Sequence, residues 1–306
     1  MLLDFHRNRT RLAVFLTVVT LTTLAIIPAV KFVGPDDLPA PAATETLVFE
    51  WENLPTLRLG HYALWAQHDD TTALLKRFNR SGDTLVSLNG EPLTTWQVSV
   101  PAGSTELFVT IEAEGDRDEN PNLEMMRAPI TGDTAVMKFT DMTEAAGSVI
   151  LATPTDGNSQ INERSGFWFT GPQAQQTSLT LPELPDGFRW QSRVTNSSVE
   201  VTTGMFETAA GPDDLSKYSE TGAPGFSFPG EDMLQNLPEG LLPPLNLANG
   251  TYTIIVSAEP YSSGDFTGET VFVVVLAVTV PDTAEARSGI ELVNTARVPA
   301  LTIRIE

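Results

Sequence analysis

Three histidines, His6, His61 and His68, are the imidazoles the chain offers, and His68 stands directly before two acids in His68-Asp69-Asp70. An imidazole beside two carboxylates has the donor types for a metal site or a general base. Its flanks point elsewhere. "HYALWAQ" and "TALLKRF" on either side are strand-like, so the triplet is expected to form a solvated hairpin turn. A Ser-His-Asp arrangement finds no support, since neither G-x-S-x-G nor S-x-x-K is present.

Clustered acids are the other candidates. "EAEGDRDENPN" (112–122) places Glu112, Glu114, Asp116, Asp118 and Glu119 just after a strand-like run. Glycosidases use two carboxylates roughly 5–10 Å apart, which neighbouring loop acids rarely achieve, and the run misses the spacing of a D-x-[DN]-x-[DN]-G calcium loop. A solvated loop is the expectation, with weak calcium binding as the alternative. "GPDDLSKYSETGAPGFSFPGEDML" (211–234) is the longest irregular stretch and carries Asp213, Asp214, Glu231 and Asp232. Loops of this length in compact domains are usually functional or disordered, and Phe226 and Phe228 could tie it to the body as a purely structural cover. It is the first place to look for calcium or partner binding. Sequons at Asn79, Asn196 and Asn249 matter only in a glycosylating host. The sequence thus nominates no catalytic residue, no metal ligand and no cofactor, and a non-enzymatic role is expected.

These residues need elements to hold them, and the first element is an export signal. Leu12 to Val30 is uncharged, and its nineteen residues would span roughly 28 Å as a helix, about the hydrocarbon thickness of a bilayer. Arg7, Arg9 and Arg11 precede the run while Asp36 and Asp37 follow it, so positive-inside bias places residues 1–11 in the cytoplasm. A membrane anchor over 12–33 is expected. A cleaved signal peptide is the alternative, its nearest small-x-small site being Ala40-Pro41-Ala42. Either way the remainder is extracytoplasmic, on the outer side of a single-pass cytoplasmic or plasma membrane.

Composition agrees with export. The 306 residues contain no cysteine, so neither disulfides nor thiolate metal sites hold the fold. With 39 acids against 18 bases the formal charge is -21, which argues against nucleic acid as a partner. Residues 34–45 are rich in Pro and Ala and should form an extended stalk.

Beyond the stalk the chain reads as short β-branched and aromatic runs separated by turn residues: "TLVFEWENL", "WQVSVPAG", "ELFVTIEAE", "SVILAT", "GFWFT", "TSLTLPEL", "FRWQSRVT", "YTIIVSAE" and "ALTIRIE". "VFVVVLAVTV" (271–280) is too short to cross a membrane and reads as a strand buried on both faces. An internal duplication is also visible. "LPTLRLGHYALW" (54–65) recurs as "LPELPDGFRW" (181–190), "ELFVTIEAEGD" (106–116) as "TYTIIVSAEPYSSGD" (251–265), and "ITGDTA" (130–135) as "TVPDTA" (279–284), in the same order. Two all-β domains are therefore expected, at 46–147 and 148–306, with Phe188 and Trp190 doing the work of Tyr62 and Trp65.

These fragments resemble the extracytoplasmic domain of membrane-bound anti-sigma factors of the anti-sigma-K type and related tandem-domain envelope proteins. The resemblance rests on "VFEWENLPTLRLGHYALWAQ" with "KRFNRSGD", then "ILATPTDG", "SGFWF", "LTLPELPDGFRW", "TTGMFETAAGPDD" and "FSFPGEDML", covering most of residues 46–290. It implies two tandem immunoglobulin-like β-sandwich domains with Tyr62 and Trp65 in the core, acting as a sensory or interaction module. The chain departs from the family where Arg189, Trp190, Gln191 and Ser192 replace a Tyr-Glu-Gly-Trp-like run. It also has only eleven residues before the anchor and no cysteine, where the family holds its sigma factor through a zinc-bearing helical domain. Direct sigma-factor binding is therefore not expected. The implied partner is an envelope protein or polymer; a carbohydrate-binding protein or carbohydrate-active enzyme is the alternative.

Overall fold

The computed structural model describes residues 44–93, 95–157, 161–220, 225–261 and 271–306. The expected tail, the anchor at 12–33 and the stalk up to residue 43 lie outside the described residues. Among the described residues no helix is long and apolar enough to cross a membrane.

The body is all-β, and residues 42–306 form one compact unit. In chain order the strands are β1 (Glu45–Glu52), β2 (His61–His68), β3 (Thr71–Ser81), β4 (Thr84–Val86), β5 (Thr95–Val98), β6 (Glu106–Glu112), β7 (Leu123–Pro129) and β8 (Thr134–Lys138). Then follow β9 (Ala146–Leu151), β10 (Gly166–Trp168), β11 (Leu179–Thr180), β12 (Phe188–Thr195), β13 (Glu200–Phe206) and β14 (Gly230–Asp232). The series ends with β15 (Thr253–Pro260), β16 (Val273–Thr279), β17 (Ile290–Glu291), β18 (Val293–Asn294) and β19 (Ala300–Ile305).

Two sheets serve each half. The first half stacks β4-β3-β2-β6-β7 on β5-β1-β19-β8; the second combines β13-β12-β15-β16-β18 with β11-β9-β10-β14, to which β17 adds through β9. Phe78 on β3 meets Trp96 on β5 at 5.2 Å, joining the two sheets of the first half. Every strand-like run named from sequence lies in or overlaps a strand. The run at 271–280 yields β16, in which Val273, Val275 and Leu276 are buried while Val274, Ala277 and Val278 are only half-buried.

The expected boundary at 147/148 does not divide the strands. It falls inside β9, and β19 returns from the far end of the chain to sit between β1 and β8, pairing Phe49 with Ile303 and Met137 with Leu301. The first half is thus closed by the last strand, and the second half is inserted ahead of it. One hydrophobic core runs through both, from Leu47 to Ile303. At the junction Phe139 packs on Phe188 at 5.1 Å and Phe272 at 6.1 Å.

The duplication reaches individual hydrogen bonds. Tyr62 lies opposite Phe78, and Trp190 lies opposite Phe206. Two residues beyond each, the ladder bulges, at Leu64/Trp65 and at Ser192/Arg193. A second pair of bulges falls at Val109/Thr110 between β6 and β7 and at Val256/Ser257 between β15 and β16. Bulges re-aim side chains and persist as built features, so four in matched positions identify one repeated frame. Trp190 is therefore the counterpart of Tyr62, which corrects the pairing expected from sequence. Phe188 instead fills the junction, and Arg193 stands where the first half has Trp65.

Trp65 is buried, but not in the main core with Tyr62. Residues three apart on a strand face opposite sides, so Trp65 joins Ala63 and Phe108 in a separate cluster on the other face of the sheet.

Candidate functional site

In the irregular stretch between β13 and β15, the described segments up to residue 220 and from residue 225 are held by the acids. Backbone N–H groups of an irregular loop need acceptors when no ladder supplies them, and four carboxylates do so here. Asp213 accepts from Gly230 N at 2.9 Å through Oδ2 and from Leu215 N at 3.4 Å through Oδ1. Asp214 accepts from Met205 N at 2.7 Å. Glu231 Oε1 takes Tyr218 N, Ser219 N and the Ser219 hydroxyl at 3.1, 2.8 and 2.6 Å. Asp232 receives Thr155 N at 2.9 Å and the indole Nε1 of Trp168 at 2.9 Å.

Burial has a price in charge. It pushes Asp213 up to about 8, Glu231 to about 7 and Asp232 to about 6, against the hydrogen bonds that pull each of them down. Glu231 Oε2 is buried and has no hydrogen-bond partner, a condition better suited to a protonated carboxyl than to a carboxylate.

Above this layer lies a partly open cavity of about 300 Å³, lined by Thr155, Trp168, Asp213, Ser216, Phe226 and Phe228 among others. Two glycines make the seating possible. A Cβ on Gly204, whose φ is +127°, would fall 2.7 Å from Asp213 Cγ, and one on Gly225 would fall 2.3 Å from Trp168 Cη2. Phe226 meets Trp168 edge-on at 5.3 Å. A neighbouring recess of about 680 Å³ is lined by Asn162, Glu163, Arg164, Asn246 and Arg287. Arg287 lies 3.4 Å from Glu163 and 5.9 Å from the Phe226 ring.

The other nominated residues have scaffold roles. His68-Asp69-Asp70 is the expected hairpin turn: β2 ends at His68, β3 begins at Thr71, and Asp69 takes φ +47°. His61 is buried opposite Glu112, and burial, with Arg77 and Arg117 nearby, lowers it to about 4. His6 lies outside the described residues. In the loop at 112–122, Asp116 accepts from Asp118 N at 2.9 Å and Asp118 from Asn120 N at 2.8 Å, a run of Asx turns. Glu112 is turned inward and raised by burial. The sequon Asn196 caps its turn by accepting from Ser198 N and Val199 N, Asn249 does likewise for Thr251 N, and Asn79 donates to Gly60 O at 3.4 Å. Among the described residues no three His, Asp or Glu side chains converge as a metal ion requires.

Sequence reasoning singled out the acids of 211–234 but missed Thr155, Trp168 and Gly204, which come from other strands and loops. "GFWFT" carried the signal for Trp168 only as a strand; no local pattern says which face its indole takes. Comparison with known proteins found no matching family model, curated protein or solved structure.

Proposed function

We propose that the chain is a membrane-tethered, extracytoplasmic binding module of two immunoglobulin-like sandwiches, without enzymatic activity, that offers a preformed loop surface to an envelope protein or polymer. The observation that carries this reading is the acid-ordered loop. Asp213, Asp214, Glu231 and Asp232 fix its backbone rather than standing free as reactive groups, and a rigid surface loop on a β scaffold is suited to recognition. The resemblance to anti-sigma ectodomains supports a sensory or interaction role, and these 306 residues contain no cysteine for a thiolate zinc site, so direct contact with a sigma factor is not part of the proposal. A carbohydrate-binding role is the second reading, favoured by the aromatic wall of Trp168 and Phe226.

Topology tests the first reading. The full chain should sediment with membranes through alkaline carbonate washing, with residues 46–306 cleaved only by protease added from outside. Recovery of a soluble mature form starting near Ala43 would replace the anchor with a cleaved signal, and protection of the body from outside protease would end the extracytoplasmic reading altogether.

A further inference from the structure

We infer that the cavity over Asp213 binds an organic ammonium group, held between the Asp213 carboxylate and the rings of Trp168 and Phe226. This deepens the binding reading above and rests on it. The cavity combines the two features an ammonium recognises, a carboxylate reached through a low-dielectric wall and aromatic faces whose quadrupole favours a cation. Ser216 lines the same space and its hydroxyl is of a type that accepts N–H donors, whereas the Thr155 and Ser219 hydroxyls already donate to Asp232 and Glu231.

The electrostatic surroundings point the same way. The charged groups facing Asp213 are Glu231 from β14 and Asp214 from its own loop, and Glu220 lines the rim. Of the cations nearby, Lys217 lies 5.1 Å from the Tyr218 ring, and Arg287 lies over the Phe226 ring at 5.9 Å while reaching Glu163 at 3.4 Å. An entering ammonium therefore meets an Asp213 whose charged influences are acids, Glu231 and Asp214, with Arg287 held at the Phe226 end by Glu163. A metal ion finds less, because Asp232 and Glu231 Oε1 are already committed to backbone and indole donors and, among the described residues, no third ligand converges. The binding step is linked to proton release. Asp213 is held largely protonated near neutrality by burial, so capture of a cation favours its ionised form.

The shared chemistry is an ammonium, which an amino sugar or an alkylammonium headgroup could each supply. Choline and its uncharged isostere 3,3-dimethyl-1-butanol, and glucosamine against N-acetylglucosamine, are titrated into the full chain by calorimetry, with tryptophan fluorescence as a second readout. Saturable binding of choline or glucosamine is expected, whichever binds tighter naming the source, with at least tenfold weaker binding of its neutral counterpart. For choline, whose charge does not titrate, affinity should rise up to about tenfold per pH unit from pH 6 towards pH 8. Asp213→Asn, which mimics the uncharged acid the fold already accommodates, should lose at least tenfold. Should that variant fail to fold, Phe226→Leu keeps apolar volume, removes the ring and should weaken binding several-fold. Equal binding of charged and neutral members, a flat pH profile, or competition by calcium at lower concentration than choline each overturns the proposal. None of these outcomes touches the topology test, so failure of the tether and failure of the ligand class are separable.

Discussion

The two halves share a backbone frame and differ in what it carries on its outer face. In the first half Trp65 donates from Nε1 to Thr110 Oγ1 at 2.7 Å, the Thr110 hydroxyl donates to the buried Glu112, and Glu112 accepts from Asn122 N at 3.2 Å. In the second, Ser257 donates to the buried Glu259 at 2.6 Å and Glu259 accepts from Phe272 N at 3.0 Å. The hydroxyl, the carboxylate and the N–H before the next strand are thus repeated. What changes is the residue facing them. Trp65 stacks on Phe108 under the guanidinium of Arg127, 4.3 Å from the Phe108 ring, which is itself clamped by Glu106 and Glu124. Arg193 instead is buried among Gln191, Glu200 and Glu259, with Glu259 at 3.0 Å. The frame, bulges included, tolerates an apolar or an ionic filling at one position, so the divergence concerns surface chemistry rather than fold.

The largest test of this comparison removes the strand that makes the halves unequal. Truncation after Ala296 deletes β19, whose Leu301 and Ile303 are fully buried between β1 and β8. The first half should lose its cooperative thermal transition while the second keeps one, as read by calorimetry. Survival of both transitions would restore the simple tandem division at 147/148.

Next, Trp65→Ala should cost about 3–5 kcal/mol by denaturant unfolding, the usual range for emptying a buried aromatic site. Arg193→Ala should cost a similar amount, but for another reason, since it strands Glu259 without its cation. The double change Arg193→Met with Glu259→Gln separates the two. It should recover to within about 1 kcal/mol of the parent or exceed it, because a buried ion pair seldom outdoes an apolar replacement. A double variant as weak as Arg193→Ala would show that the ionic filling is required by the frame.

The most local expected effect is a pH response of opposite sign in the two halves. Asp213, Glu231 and Asp232 have folded-state values raised above those of the open chain, so their contribution is present below pH 4 and is lost as pH climbs towards about 8. His61 is lowered to about 4, so its contribution is full above about pH 6.5 and is lost as pH falls through 4. Hydrogen exchange should then show loop 211–220 loosening with alkali and the start of β2 loosening with acid. The same sign in both places would remove either the buried acids or the neutral imidazole from the account.

Strand positions were legible because β-branched and aromatic residues with turn punctuation report local geometry directly. β3 was harder to bound, since Lys76, Arg77 and Arg80 break the apolar pattern of an eleven-residue strand. The union of β1 and β19 was invisible: it joins residues some 250 positions apart, and "ALTIRIE" says only that a strand exists, not where it docks. At the candidate site the acids were legible as a dense run, while their function as acceptors depends on which N–H groups the folded loop brings to them.

The placement of β19 also sets an order in time. During synthesis the second half is complete once β18 has emerged, whereas the first half, begun earlier, lacks its central strand until the final residues of this sequence are made. Domains commonly fold as their residues become available, and here that rule inverts the order of the halves. The sheet that holds β1 waits with one position open between β1 and β8, and the inserted half delivers β19 to it.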